Sequence, residues 1–176
     1  MSKQKNKVPL KTKLLIILLP LGIGLISSTI VKYKILLPVS VTNSYMEPTL
    51  KKGDTAYFNR WYRKSQLGIG DVVIFLSPLD SKSYVIARII GKPGDKISIQ
   101  KRMVFRNDSI LDPSLFPEPS TQMVPLIPQG KSEHDEMSPI TVPEKHFFLL
   151  ADNREIGVDS RVLGAIQESS IYAVLW

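Results

Sequence analysis

The chain has no cysteine among its 176 residues. That excludes a disulfide framework, a thiolate zinc site and a cysteine nucleophile. Histidine is scarce too: His134 and His146 are the only two, which leaves little for a histidine metal cluster or an imidazole base. An excess of one charge is missing from most of the chain. The net charge is +7, yet residues 1–34 hold seven lysines and no acid, which leaves 16 basic and 16 acidic residues in 35–176. The main domain therefore has no bulk electrostatic reason to bind nucleic acid, and no such partner is expected. With 43% hydrophobic and 22% charged residues the chain can bury a core, so global disorder is excluded. Its length fits one domain and a short extra segment.

The extra segment is N-terminal. Lys3, Lys5, Lys7, Lys11 and Lys13 form a basic stretch over 1–13, ahead of the uncharged run Leu14 to Val31. Eighteen apolar residues sit near the lower limit for crossing a bilayer. A lysine at mid-membrane costs about 3 kcal/mol, so the lysines bound the span. Five lysines before it against Lys32 and Lys34 after it predict a cytoplasmic N-terminus, a single pass and an extracellular domain over 35–176. The run exceeds a usual signal-peptide core, and Ser27-Ser28-Thr29 is a weak cleavage site. An uncleaved anchor with the lipid bilayer as partner is the expectation.

Past the anchor no 12-residue stretch has a clean helical period. Short β-branched runs recur instead: Leu36–Val41, Thr55–Asn59, Asp71–Leu76, Tyr84–Ile90, Lys96–Gln100, Met103–Arg106, Phe147–Leu150 and Ile171–Leu175. Pro93-Gly94-Asp95 and Asn107-Asp108 read as turns. The pattern predicts a mainly β domain, a barrel or folded antiparallel sheets. Residues 112–143 break the rhythm with seven of the 13 prolines and read as a surface insertion. His134 there stands among Ser132, Glu133, Asp135 and Glu136, a solvated charge run with no converging ligands. His146 reads as a strand start, and neither metal nor cofactor is implied. Arg60-Trp61-Tyr62-Arg63-Lys64 is the densest basic–aromatic group, suited to a bilayer interface or to an exposed turn with Trp61 in the core.

Four blocks in order carry a resemblance. They are Asn43-Ser44-Tyr45-Met46-Glu47-Pro48-Thr49-Leu50, Gly70-Asp71-Val72-Val73, Ala87 to Asp95, and Val142-Pro143-Glu144 followed by Ala151-Asp152-Asn153-Arg154 and Asp159-Ser160-Arg161. Together with the basic start and the anchor they resemble the type I signal peptidases (S26-like), membrane-anchored serine proteases with a Ser-Lys dyad. The resemblance implies a mostly β domain against the outer membrane surface. It also implies a nucleophilic serine directly before the methionine, and a neutral lysine base directly before the arginine of the Arg-x-x-Gly-x-Pro-Gly-Asp block, here Arg88 to Asp95.

At those positions this chain has Tyr45 and Ala87. A serine that helps orient the lysine is replaced by Gly157, and the glycine favoured before Asp-Asn-Arg is Ala151. A serine hydroxyl needs a base to become a nucleophile. Ser44 is one residue off register and faces the other way in an extended segment, while Lys92 lies in a solvated turn. The expectation is a noncatalytic member. Its cleft is formed by Asn43, Ser44, Tyr45, Met46, Pro48 and Ala87, with Tyr45 either filling the pocket or taking space left by Ala87. Arg88, Gly91, Pro93, Gly94, Asp95, Asp152, Arg154, Asp159 and Arg161 read as structural, fixing loops and turns. Noncatalytic relatives encoded with pilus genes in Gram-positive bacteria imply a chaperone-like role for an exported client, a pilin, a sortase or both. A divergent active signal peptidase and a regulator of one are the alternatives.

Overall fold

The structure of the protein, a computed structural model, describes residues 9–30, 35–116 and 136–176. Lys3, Lys5, Lys7, Val31, Lys32, Lys34, the 117–135 part of the insertion and His134 lie outside them.

The first element, α1, spans Leu10–Ile30, 21 residues or about 32 Å at 1.5 Å per residue. That matches a hydrocarbon core of roughly 30 Å, and Leu10–Thr29 is long and apolar enough to cross a membrane. The helix starts ahead of the expected Leu14, because the Thr12 and Lys13 amides bond the Pro9 carbonyl at 3.0 and 3.2 Å. Lys11 and Lys13 thus stand in its first turn. The Ser27 and Thr29 hydroxyls donate to the Gly24 and Leu25 carbonyls at 3.0 and 2.8 Å. Such bonds satisfy a hydroxyl without water, as a lipid environment requires.

The rest is built of short antiparallel strands. They are β1 (Leu36–Ser40), β2 (Thr55–Asn59), β3 (Val72–Leu76), β4 (Tyr84–Gly91), β5 (Lys96–Gln100), β6 (Met103–Arg106), β7 (Ser109–Ile110), β8 (Met137–Thr141), β9 (His146–Leu150), β10 (Ile166–Gln167) and β11 (Ile171–Leu175). A single-turn helix α2 (Ser160–Leu163) follows β9. Two sheets result. One has seven strands in the order β1-β2-β11-β3-β4-β9-β10, and the other four in the order β7-β6-β5-β8. The domain is therefore mainly β, with one N-terminal apolar helix.

Alternation along β4 explains the three cores. Ala87 and Ile89 face a cluster with Leu67, Val73, Phe75 and Leu149. Ile86 packs on the opposite cluster of Val41, Met46, Phe58, Val72 and Ile74. Ile90 enters a third cluster shared with Ile97, Ile99 and Val104 of the second sheet. Where the sheets meet, a β-carbon on Gly91 would come within 2.9 Å of Ile97 and 3.0 Å of Phe148, so only glycine fits. The next turn needs Gly94 at φ +85°, a left-handed conformation open to glycine at no steric cost.

Two expectations change. The insertion over 112–143 is not all surface loop: Phe116 is buried and Met137–Thr141 forms β8. Pro139 is tolerated because β8 is an edge strand and the β5–β8 register shifts between Ile97 and Ile99. Trp61 is 78% exposed and does not enter the core, because it stands just past the end of β2.

Candidate functional site

Asn43 opens the segment over 43–50 that follows β1, the stretch the sequence reading assigns to a cleft. Its Oδ1 accepts the Tyr45 amide at 3.2 Å, a local bond that turns the chain after β1. Ser44 and Tyr45 are half-buried, and Met46 is buried in the cluster with Val72 and Ile74. Among the described residues the Ser44 hydroxyl has no side-chain partner. Pro48 follows a cis peptide bond in the same turn.

Backbone bonds then carry the segment to the loop after β9. The Asn153 amide donates to the Tyr45 carbonyl at 2.9 Å, and the Gly157 amide donates to the Asn153 carbonyl at 3.0 Å. Gly157 in turn lies against Ala151. A β-carbon built on Gly157 falls well inside van der Waals contact with the Ala151 β-carbon, and 2.8 Å from the Asn153 carbonyl oxygen. The β4–β9 register pairs Arg88 with Leu150. Carried one residue on, it sets Ala151 opposite Ala87. Both alanines are fully buried. The positions of Tyr45, Ala87 and Gly157 are thus linked through residues 151–157, and the side around Ala87 is closed by methyl groups and apolar neighbours.

A polar clamp sits on the other face of β4. The Arg88 Nε and Nη2 donate to the two oxygens of Asp152 at 2.7 and 2.5 Å, and its Nη1 donates to the Gly70 carbonyl at 2.7 Å. The Thr49 hydroxyl also donates to Asp152 and accepts from Arg88 Nη2 at 3.1 Å. This bidentate pair ties the cleft segment, β4 and the loop after β9 to one another. Both Asp152 oxygens accept hydrogen bonds within this clamp.

Asp159 is fully buried; Arg161 Nε and Nη2 donate to its two oxygens at 2.9 and 2.8 Å. Its Oδ2 also accepts the Ala151 amide at 2.9 Å, which fixes the backbone beside Gly157. Arg154 Nη1 donates to the Arg102 carbonyl at 2.6 Å, and its guanidinium lies 4.9 Å from the Phe116 ring. Burial, then the charges of Arg161 and Arg102, hold the Arg154 pKa below the usual arginine value. In the Lys92–Asp95 turn, burial opposes ionisation of Asp95. Donors from Arg106 at 2.6 Å, the Lys92 amide at 2.8 Å and Asn107 at 2.7 Å outweigh it and hold the carboxyl below its ordinary range. Lys92 is half-buried within that turn.

Two features escape a reading by position alone. Thr49 joins the Arg88–Asp152 pair from 39 residues before Arg88 and 103 before Asp152, with no spacing signal to announce it. The contact of Ala151 with Gly157 is set by the loop after β9, which no spacing announces.

The comparisons with known proteins agree with this architecture. Residues 12–175 match the family described as "Signal peptidase, peptidase S26". The chain is 28% identical over 151 residues to signal peptidase I T of Bacillus subtilis, covering 85% of this chain and 76% of that protein. It is 29% identical over 153 residues to signal peptidase I of Pseudomonas fluorescens, covering 70% of this chain but only 54% of the relative. A crystal structure of a signal peptidase I from Enterococcus faecalis V583 superposes with a TM-score of 0.51 at 24% identity, over 62% of this chain and 96% of that one, a likeness of fold.

Proposed function

The chain belongs to the signal peptidase family, peptidase S26, and from that premise we propose that it is a membrane-anchored, proteolytically inactive member that presents exported proteins to an assembly enzyme. α1 crosses the cell membrane once, with the N-terminal lysines in the cytoplasm and the β domain outside. The client is a pilin held for a sortase.

The observation that carries this reading is the apolar closure around Ala87. Peptide cleavage by a hydroxyl needs a base to receive its proton. Ala87 is fully buried among Leu67, Val73, Ile89 and Leu149, and supplies only a methyl group. The Ala151 methyl leaves no room for the side chain that would orient a lysine there. Tyr45 brings a ring to the place of the nucleophile, and an amphipathic ring suits binding a polypeptide. The clamp of Arg88, Asp152 and Thr49 keeps the cleft segment in shape without chemistry.

The test is complementation. Cells of origin lacking the gene should lose polymerised pili. The natural chain should restore them, and Ser44→Ala should restore them equally. Restoration that requires Ser44, with cleavage of a signal peptide, would show a divergent active peptidase instead. Unchanged pili together with co-purification of an active signal peptidase would replace the assembly role with a regulatory one.

A further inference from the structure

The seven-stranded sheet is covered differently on its two faces. Its register sets Asn59 beside Leu36 and Val174, and Tyr57 beside Pro38, all on one face. Met46 and Leu50 of the 43–50 segment pack on the other face, with Phe58. The core on the first face is capped by Tyr62, Leu67 and Ile69 from the chain between β2 and β3. Beside that cap lies a cavity of about 260 Å³. Leu67, Val174, Leu175 and the rings of Tyr62 and Trp176 are its apolar lining. Trp176 is 77% exposed, and its amide donates to the carbonyl of Tyr57, itself 54% exposed.

The polar groups of this groove are unevenly used. The Tyr62 hydroxyl donates to the Ile171 carbonyl at 2.9 Å, which fixes the ring. Burial, then the charge of Glu168, hold its pKa above the ordinary tyrosine value, so the ring is a neutral wall. Asn59 Oδ1 accepts the Trp61 amide at 2.8 Å, which leaves its Nδ2 for another partner. Asp71 Oδ2 accepts the Gly68 amide at 2.8 Å. Among the described residues Asn59 Nδ2, the Gln66 amide and the Trp176 indole N–H have no hydrogen-bond partner, and Arg63 adds its own donors. Donors therefore outnumber acceptors along an aromatic surface. A peptide with an N–H at every residue would leave some of them unmatched there. A proline-rich segment matches the groove better: it offers carbonyls, has few N–H groups and lays flat rings on aromatic faces. Its polyproline II form exists before binding, so little order is lost.

We infer that this groove, on the face away from the 43–50 segment, is a second binding site, and that it takes a proline-rich extended segment of another polypeptide. Tyr62 and Trp176 hold the proline rings. Asn59 Nδ2 and the Trp176 indole N–H donate to the carbonyls between them. The site needs neither a pilin nor a sortase, so it stands or falls apart from the assembly role.

The experiment uses the full chain in nanodiscs of phosphatidylcholine, labelled with 5-fluorotryptophan, and octaproline as the probe. The chain has two tryptophans, and Trp61→Phe assigns their fluorine signals. Octaproline should shift the Trp176 signal saturably and leave that of Trp61 in place. A glycine–serine octapeptide should move neither. Anisotropy of fluorescein-labelled octaproline gives the affinity. Trp176→Ala should weaken it at least tenfold, as loss of a central aromatic anchor does. Gln66→Glu, an exposed change that replaces a donor by an acceptor, should weaken it roughly threefold or more, and Trp61→Ala should leave it unchanged. Thermal unfolding followed by circular dichroism checks that each variant is folded. A Trp176 signal that octaproline does not move overturns the site. So does equal affinity in Trp176→Ala and Gln66→Glu, or equal binding of the glycine–serine peptide. Quenching of Trp176 by brominated lipid, with no response to octaproline, would give the groove to lipid and overturn the inference as well.

Discussion

Replacing Gly157 with serine puts a β-carbon where the Ala151 methyl already is, and 2.8 Å from the Asn153 carbonyl oxygen. Neither obstacle is the far end of a flexible side chain, so the backbone must move. That backbone is held by the Ala151 amide on Asp159 at 2.9 Å and the Asn153 amide on Tyr45 at 2.9 Å. Overpacking of this kind costs about 1–3 kcal/mol, and the fixed surroundings place Gly157→Ser at the upper end. For a chain of this length the melting temperature should fall by roughly 4–10 °C. Ala151→Gly alone removes a buried methyl and adds chain entropy, a loss of about 1–2 kcal/mol. If the two sites were independent, the double variant would lose about 3–5 kcal/mol by addition. The structure predicts that it loses no more than Gly157→Ser alone, because the new β-carbon enters the space the old methyl leaves. Denaturant titration of the four chains, followed by circular dichroism, closes the cycle. A coupling of at least about 1 kcal/mol is expected, above the 0.3–0.5 kcal/mol scatter of unlinked sites. Simple additivity would refute the claim that the Ala151 methyl fills the orienting position.

Removing Arg88 strands a fully buried Asp152. Arg88→Met should cost about 3–5 kcal/mol in thermal or denaturant unfolding, with most of it regained in Arg88→Met, Asp152→Leu. Ala87→Lys should bury an amine in an apolar face and lower its pKa, so the folded state binds fewer protons than the unfolded one. The melting temperature of this variant should then rise with pH from 7 to 10 more steeply than that of the natural chain; parallel curves would show the amine escaping to water. Asp95 has a folded pKa below its ordinary 3.8, so its contribution is present above that value and lost as pH falls through the lowered one. Asp95→Asn should therefore flatten acid unfolding below roughly pH 4, and an unchanged acid limb would contradict the role given to its donors.

The strand pattern was plain in the sequence wherever β-branched runs meet turn residues. Thr55–Asn59, Lys96–Gln100, Met103–Arg106 and Ile171–Leu175 carry the same bounds in the structure. β8 was hidden because Pro139 reads as a breaker, and only its place at a sheet edge makes proline acceptable. β7 and β10, two residues each, are too short to show a period. Family membership was legible because turn residues and charged pairs recur in a fixed order. The candidate site was legible as residues 45, 87, 151 and 157 within or beside the blocks that carry the resemblance. That Ala151 and Gly157 meet in space required coordinates, since their contact is a matter of loop closure and not of spacing. The exposure of Trp61 was equally out of reach, because an aromatic residue after a strand packs inward or outward according to what lies opposite it.

The central claim is that the chain binds without cutting. Purified full-length protein in lipid would be incubated with a membrane-inserted preprotein, beside a version carrying Tyr45→Ser, Ala87→Lys, Gly157→Ser and Ala151→Gly. The last change removes the Ala151 methyl, the nearer of the two obstacles to the restored serine. The account predicts no cleavage by the natural chain and signal-peptide removal by the restored one. Cleavage by the natural chain, abolished by Ser44→Ala, would contradict it.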